Sequence, residues 1–144
     1  MSQEQEMINP FVEDLVKQNV LSYGSCTVNA FIPLASFIEM KYGIIDSDVN
    51  VIHNIQEYRV NENYTLDRRF CTLEKSAPML LDCVNRNNFI VKYTVVPYTG
   101  VSVIDFRFRL EKIPSFEQFI DDLEFGVNEG ELKSIYGLNE VDNG

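Results

Sequence analysis

The sharpest chemical feature of the sequence is a cysteine at a turn where a helix is expected to begin. Cys26 follows Gly24 and Ser25 and precedes a stretch with helical patterning. At a helix N-terminus, unpaired backbone amides and the positive end of the helix dipole stabilise a thiolate. The pattern suits a nucleophilic cysteine, and it also fits a small apolar residue buried at a turn, where free cysteines are commonly found.

His53 is the second residue whose type suits chemistry. It is the one histidine in the chain, and histidine is the side chain that exchanges protons most readily near neutral pH. We therefore consider His53 the candidate general base for Cys26. It also shares an alternating pattern with Val49 and Val51, which predicts a half-buried strand residue with a backbone partner. Both interpretations stay open at this point.

The segment Gly24-Ser25-Cys26, followed by a predicted helix that ends at Tyr42-Gly43, resembles the active-site segment of papain-like cysteine peptidases. In that family the cysteine is the nucleophile, and the resemblance implies the same role for Cys26. The family also has a glutamine six residues before the cysteine, and a histidine and an asparagine far downstream. In this sequence Val20 occupies the position of that glutamine, and no histidine follows His53 to match the downstream one.

Neither a metal site nor a cofactor site is predicted. The three cysteines are separated by 45 and 12 residues, which fits neither a disulfide framework nor a zinc site. The sequence also lacks the GxGxxG, GxxxxGK[ST], HExxH and GxSxG motifs. We therefore expect free thiols, no cofactor and no metal ion; the cysteines are Cys26, Cys71 and Cys83.

The net charge of −10 is concentrated at the two ends of the chain. Residues 1–20 carry a net charge of −3, residues 117–144 carry −7, and the acids and bases between them balance. Three of the C-terminal acids, Asp121, Asp122 and Glu124, lie on a predicted amphipathic helix whose charged face is expected to meet solvent. Such a layout permits docking on a basic surface of another protein and argues against direct nucleic-acid binding, and it also fits a surface that serves only solubility.

Two functional hypotheses follow from these features. The charge layout favours a non-catalytic acidic interaction protein, such as an adaptor, an immunity-type protein or an inhibitor, with Asp121, Asp122 and Glu124 as the partner-binding residues. The alternative is a cysteine-dependent hydrolase or transferase, papain-like or degenerate, with Cys26 as nucleophile and His53 as its base.

The length and composition predict one domain at residues 1–137 and a disordered tail at 138–144. The first residues are polar and acidic, unlike a secretory signal, and no apolar stretch is long enough to span a bilayer. We therefore expect a cytoplasmic protein without a membrane partner.

The fold class predicted from the patterning is α+β, with an antiparallel sheet of about four strands packed against N-terminal, Cys26–Gly43 and C-terminal helices. Helical patterns cover 9–19, 25–42, 76–84, 116–126 and a short final segment at 129–136. Strand patterns cover 49–60, 64–73, 89–96 and 101–113. The first two are expected to pair as a hairpin across a turn at 61–63, and the last two flank the segment 97–100. Pro33 either kinks the second helix or begins it, after a short turn at Cys26.

Overall fold

The computed structural model describes residues 24–54, 71–97 and 100–139. In chain order its elements are α1 (Cys26–Tyr42), β1 (Ile44–Asn54), α2 (Thr72–Leu80), β2 (Phe89–Val96), β3 (Val103–Leu110) and α3 (Phe116–Asn128). These parts of the chain therefore form an α+β structure, as predicted. The predicted helix at 9–19 and most of the predicted strand at 64–73 lie outside the described residues.

The sheet formed by the described residues is mixed and has three strands in the order β2-β1-β3. In β1, Val51 lies opposite Tyr93 of the parallel strand β2 and opposite Ile104 of the antiparallel strand β3. The prediction of an antiparallel sheet of about four strands is therefore wrong, and the predicted hairpin of 49–60 with 64–73 lies largely outside the described residues. The cause is that β1 lies between the other two strands, where Val49 and Val51 are fully buried; alternation predicts a strand but not its neighbours.

Helix α1 covers one face of this sheet through a cluster of aromatic rings. Phe31 of α1 is fully buried. The centroid of its ring lies 5.1 Å from that of Phe89, 5.7 Å from that of Phe106 and 5.9 Å from that of Phe108. Since these partners lie on β2 and β3, one side chain joins the helix to both outer strands. The core thereby sets the position of α1, and of Cys26 at its start.

Pro33 lies inside α1, which is one continuous helix from Cys26 to Tyr42. Proline has no N–H, so it leaves the carbonyl oxygen of Asn29 without its usual donor inside the helix. The hydroxyl group of Tyr136 donates to that oxygen at 3.4 Å and also to the carbonyl oxygen of Ala30. The helix therefore continues through Pro33 with a donor supplied from the C-terminal segment.

We expect Tyr136→Phe to lower the free energy of unfolding by about 1–2 kcal/mol, because a carbonyl oxygen beside Pro33 then loses its donor. Urea unfolding of the variant and the wild type measures this loss. The same substitution is also made in a Pro33→Ala protein, in which an N–H at position 33 is restored. Tyr136→Phe should lower the free energy of unfolding by less in Pro33→Ala than in the wild type. Equal losses in the two proteins would contradict the explanation.

Two other helices differ from their predicted bounds. Helix α2 begins at Thr72 rather than near Ser76, because Leu73 and Ala77 are both fully buried and lie four residues apart, on one helix face. Helix α3 continues past Gly126, where an added Cβ would lie 2.7 Å from a ring carbon of Phe37. The short helix predicted at 129–136 is absent, and that segment is a series of turns.

No helix in the described parts of the chain combines the length and the apolar character that crossing a membrane requires.

Candidate functional site

Cys26 and His53 lie side by side at the N-terminal end of α1. Cys26 is the first residue of the helix and is exposed to solvent, whereas His53 is half-buried near the end of β1. The Sγ atom of Cys26 is 3.5 Å from Nε2 of His53. The structure thus brings together the two residues considered as nucleophile and base, which are 27 positions apart in the chain.

The imidazole ring of His53 is oriented by the backbone that follows it. Its Nδ1 atom lies 2.6 Å from the carbonyl oxygen of Asn54. A carbonyl oxygen only accepts hydrogen bonds, so Nδ1 carries the donated proton and Nε2 presents its lone pair to the thiol. The ring of Tyr93 packs against the imidazole with 5.7 Å between the centroids. His53 is therefore a strand residue with a backbone partner and also a base within reach of Cys26.

The thiol opens on a small cavity of about 120 Å³ that carries several hydroxyl groups. The hydroxyl of Thr72 donates to Oγ of Ser25 at 2.7 Å, and the hydroxyl oxygens of Ser25 and Thr27 are 2.9 Å apart. Thr27 Oγ1 is in turn 3.5 Å from Sγ of Cys71. Ser25 is the N-cap residue of α1 but makes no capping hydrogen bond with its side chain. Its hydroxyl belongs to the cavity instead.

A thiol, a proton acceptor and donor hydroxyl groups in one cavity suit addition of sulfur to an electrophilic carbon. The base takes the thiol proton, the sulfur attacks, and hydrogen-bond donors hold the polar parts of the substrate. Among the described residues, no three His, Cys, Asp or Glu side chains are placed to hold a metal ion.

Sequence reasoning missed the far side of this cavity. Thr72, Cys71 and Tyr93 line it, yet none was predicted as a site residue. Ser25 and Thr27 flank Cys26 directly, so their hydroxyl groups were a usable signal. Thr72 was beyond reach, because the segment around it was predicted to be a strand, whereas α2 begins there and packs against α1.

Cys83 provides an internal comparison for the thiol of Cys26. It is half-buried and free. Burial, followed by the negative charge of Glu39, raises the pKa of Cys83 to about 12. Cys83 therefore stays protonated near neutral pH and should react slowly with alkylating reagents, which makes it a reference thiol within the same molecule.

The three acids considered for partner binding differ in their surroundings on α3. Asp121 and Glu124 are exposed. Asp122 is half-buried and accepts hydrogen bonds from the hydroxyl of Tyr42 at 2.5 Å and from Nε2 of Gln118 at 3.1 Å. The hydrogen bond from Tyr42 lowers the pKa of Asp122 against the opposing effect of burial. Asp122 therefore fastens α3 to α1, and its two exposed neighbours provide the acidic surface.

The lowered pKa of Asp122 predicts a loss of stability in acid. A carboxyl group whose pKa is depressed by folding contributes stability above its unfolded pKa of about 3.9, and loses it as the pH falls through the folded value. We expect urea unfolding between about pH 5 and pH 2 to show a weaker pH dependence in Asp122→Asn than in the wild type. Asp121→Asn removes an exposed neighbouring carboxylate and should keep the pH dependence of unfolding seen in the wild type. The same dependence of the free energy of unfolding on pH in all three proteins would contradict the expectation.

Comparison with known proteins found no matching family model. The chain is similar to plant glyceraldehyde-3-phosphate dehydrogenases. It is 28% identical over 138 residues to the cytosolic enzyme of Magnolia liliiflora, covering 86% of this chain and 40% of the relative. It is 28% identical to the enzyme of Atriplex nummularia and 26% identical to that of Pinus sylvestris, covering 86% and 85% of this chain, and 38% and 39% of those relatives. The chain thus spans about two fifths of the length of these curated relatives.

Proposed function

We propose that this chain carries a thiol site for aldehydes, in which Cys26 adds to the carbonyl carbon and His53 carries the proton. The observation that supports this most directly is the 3.5 Å separation of Cys26 Sγ and His53 Nε2 beside a cavity. The Nδ1 hydrogen bond to the Asn54 carbonyl supports it further, because it leaves Nε2 free to accept the proton.

The proposed step is a reversible addition without an oxidant. Nε2 of His53 takes the proton from Cys26, and the sulfur forms a bond to the carbonyl carbon of the aldehyde. The carbonyl π electrons move to oxygen, which then takes the proton back from Nε2. The product is a thiohemiacetal, and the imidazole returns to its starting protonation state.

The similarity to glyceraldehyde-3-phosphate dehydrogenases supports the choice of electrophile, because the substrate in their name is an aldehyde that carries a phosphate group. Ser25 and Thr72 place hydroxyl groups in the same cavity, and a hydroxyl group can donate a hydrogen bond to a phosphate oxygen. A dehydrogenase reaction would further need a hydride acceptor. Our proposal for this chain ends at the covalent adduct.

The papain-like resemblance remains a prediction that uses the same pair of residues. A hydrolase or transferase would take an ester or amide, and attack by Cys26 would expel a leaving group and give an acyl-enzyme. An aldehyde has no leaving group and gives only the reversible adduct. Repeated turnover separates the two: release of acid from an activated ester over many cycles, lost in Cys26→Ala, would support the hydrolase or transferase, whereas a single acylation of Cys26 is expected of any activated thiol.

The aldehyde proposal is tested by protection of Cys26 against alkylation. The full chain is incubated with glyceraldehyde 3-phosphate and then pulsed with iodoacetamide, and the label on each cysteine is measured by mass spectrometry. Glycerol 3-phosphate is the matched control, because it has the same phosphate but no carbonyl group. We expect the aldehyde to protect Cys26 and the alcohol to protect it far less. Equal labelling of Cys26 under both conditions would overturn the proposal.

The exposed acids of α3 support a second candidate function, in which this helix docks on a basic surface of another protein. Asp121 and Glu124 are two of its exposed carboxylates, beside the core-facing side of the helix. Affinity for a captured partner should fall as salt is raised and should fall in an Asp121→Asn, Glu124→Gln variant. A partner whose affinity is insensitive to both changes would contradict this function.

A further inference from the structure

Asn54 ends β1 directly after His53 and makes two hydrogen bonds through two different groups. Its backbone carbonyl oxygen accepts from Nδ1 of His53 at 2.6 Å. Its side-chain Nδ2 donates to the carbonyl oxygen of Val101 at 2.5 Å, in the connection between β2 and β3. The carbonyl group that orients the imidazole is therefore itself attached to a second segment of the chain.

The side chain of Asn54 acts from the opposite face of the sheet. Neighbouring residues of a strand point to opposite faces, so His53 faces α1 and the cavity while Asn54 faces away from both. The connection between β2 and β3 also leaves just enough room for the Asn54 side chain. Gly100 has φ of +140°, and a Cβ added there would lie 3.3 Å from Nδ2 of Asn54. The amide passes close to a residue that has no side chain.

We infer that Asn54 is a positioning residue for His53, an inference that rests on the proposed function of the Cys26–His53 pair. Its side chain holds the peptide group of Asn54 so that the carbonyl oxygen keeps facing Nδ1. Without that anchor the peptide group is freer to turn, and Nδ1 loses a constant acceptor. The proton then distributes between the two ring nitrogens. An imidazole that carries its proton on Nε2 cannot take the thiol proton from Cys26.

The single histidine of the chain makes the protonation of this ring directly observable. In ¹⁵N NMR spectra of the full chain, recorded at a pH where the imidazole is neutral, the protonated and unprotonated ring nitrogens have well-separated shifts. We expect one tautomer, protonated at Nδ1, in the wild type and a mixture of both in Asn54→Ala. Small displacements of reacting groups can cost as much as about 100-fold in rate, so we expect alkylation of Cys26 by iodoacetamide to fall about tenfold.

Two variants accompany Asn54→Ala. Asn50→Ala is the matched control, because Asn50 lies on the same strand and the same face as Asn54. Among the described residues, no hydrogen bond joins Asn50 to His53 or to the β2–β3 connection. It should behave as the wild type. Asn54→Gln keeps the amide donor and should restore part of the Nδ1 tautomer and of the alkylation rate, which a loss of general stability would not explain.

The outcomes separate this inference from the function on which it rests. A wild-type tautomer and alkylation rate in Asn54→Ala would overturn the role of Asn54. If Asn54→Ala does not fold, Asn54→Asp, which has the same size but lacks the donor as a carboxylate, answers the same question. An unchanged alkylation rate of Cys26 in His53→Asn would instead overturn the activation of the thiol, while the tautomer populations would still decide whether Asn54 orients the ring.

Discussion

Replacing His53 by asparagine should lower the rate at which iodoacetamide alkylates Cys26 by about 100-fold near neutral pH, since a positioned base contributes about that much or more to a proton transfer. In the wild type Nε2 lies 3.5 Å from the sulfur and presents a lone pair. Asparagine is similar in size and polarity, but it cannot take up the thiol proton. The measurement is the initial rate of labelling at Cys26, read by mass spectrometry.

Cys83 controls this experiment within each sample, because its pKa is raised to about 12 and it is predicted to react slowly with or without His53. A fall in labelling at both cysteines would indicate a change in the reagent or the fold rather than in the base. Labelling of Cys26 that is as fast in His53→Asn as in the wild type would show that the imidazole does not activate the thiol. The proposed aldehyde chemistry would then lose its base.

Replacing Phe31 by alanine should lower the free energy of unfolding by about 3–5 kcal/mol, the range for removing a fully buried phenylalanine ring. Phe31 is 0% exposed and its ring contacts one aromatic side chain of β2 and two of β3. The cavity left behind would lie between α1 and the sheet. Urea unfolding followed by circular dichroism measures the change.

Phe116→Ala is the control for the Phe31 prediction, because Phe116 is 77% exposed at the start of α3. Its removal should change the free energy of unfolding by less than about 0.5 kcal/mol. Similar losses in the two variants would contradict the buried role of Phe31. Phe31 and Cys26 both lie in α1, so the Phe31→Ala protein is also expected to lose fast labelling of Cys26. This would show that the position of the thiol depends on the packing of the core.

The helix and strand patterns predicted much of the fold because they depend on local spacing. The alternation in 89–96 predicted β2 with its observed bounds, and the apolar spacing after Pro114 predicted α3. Strand order was not predictable in the same way. The strands β2 and β3 are neighbours in the chain on either side of Pro97 to Gly100, but β1, with its buried valines, lies between them in the sheet. The order of strands depends on burial across the whole sheet, and a local sequence pattern carries no information about it.

The candidate site was predictable in part for the same reason. Cys26 stood out because a glycine-preceded helix start is a local pattern. His53 stood out only as the one histidine, and its alternation with valines argued for a strand residue more than for a base. Thr72 gave no signal at all. Its hydroxyl reaches Ser25 across 47 positions because α2 packs against α1.

The sequence by itself determined the glycine-preceded turn at Cys26, the acidic helix α3 and the α+β character of the chain. Each depends on residues that are close in the chain, and local backbone physics decides them. Only the tertiary structure decided that His53 faces Cys26, that Asp122 binds Tyr42 rather than solvent alone, and that Thr72 completes the cavity. These contacts join residues 27 to 80 positions apart, and burial of the shared core brings them together.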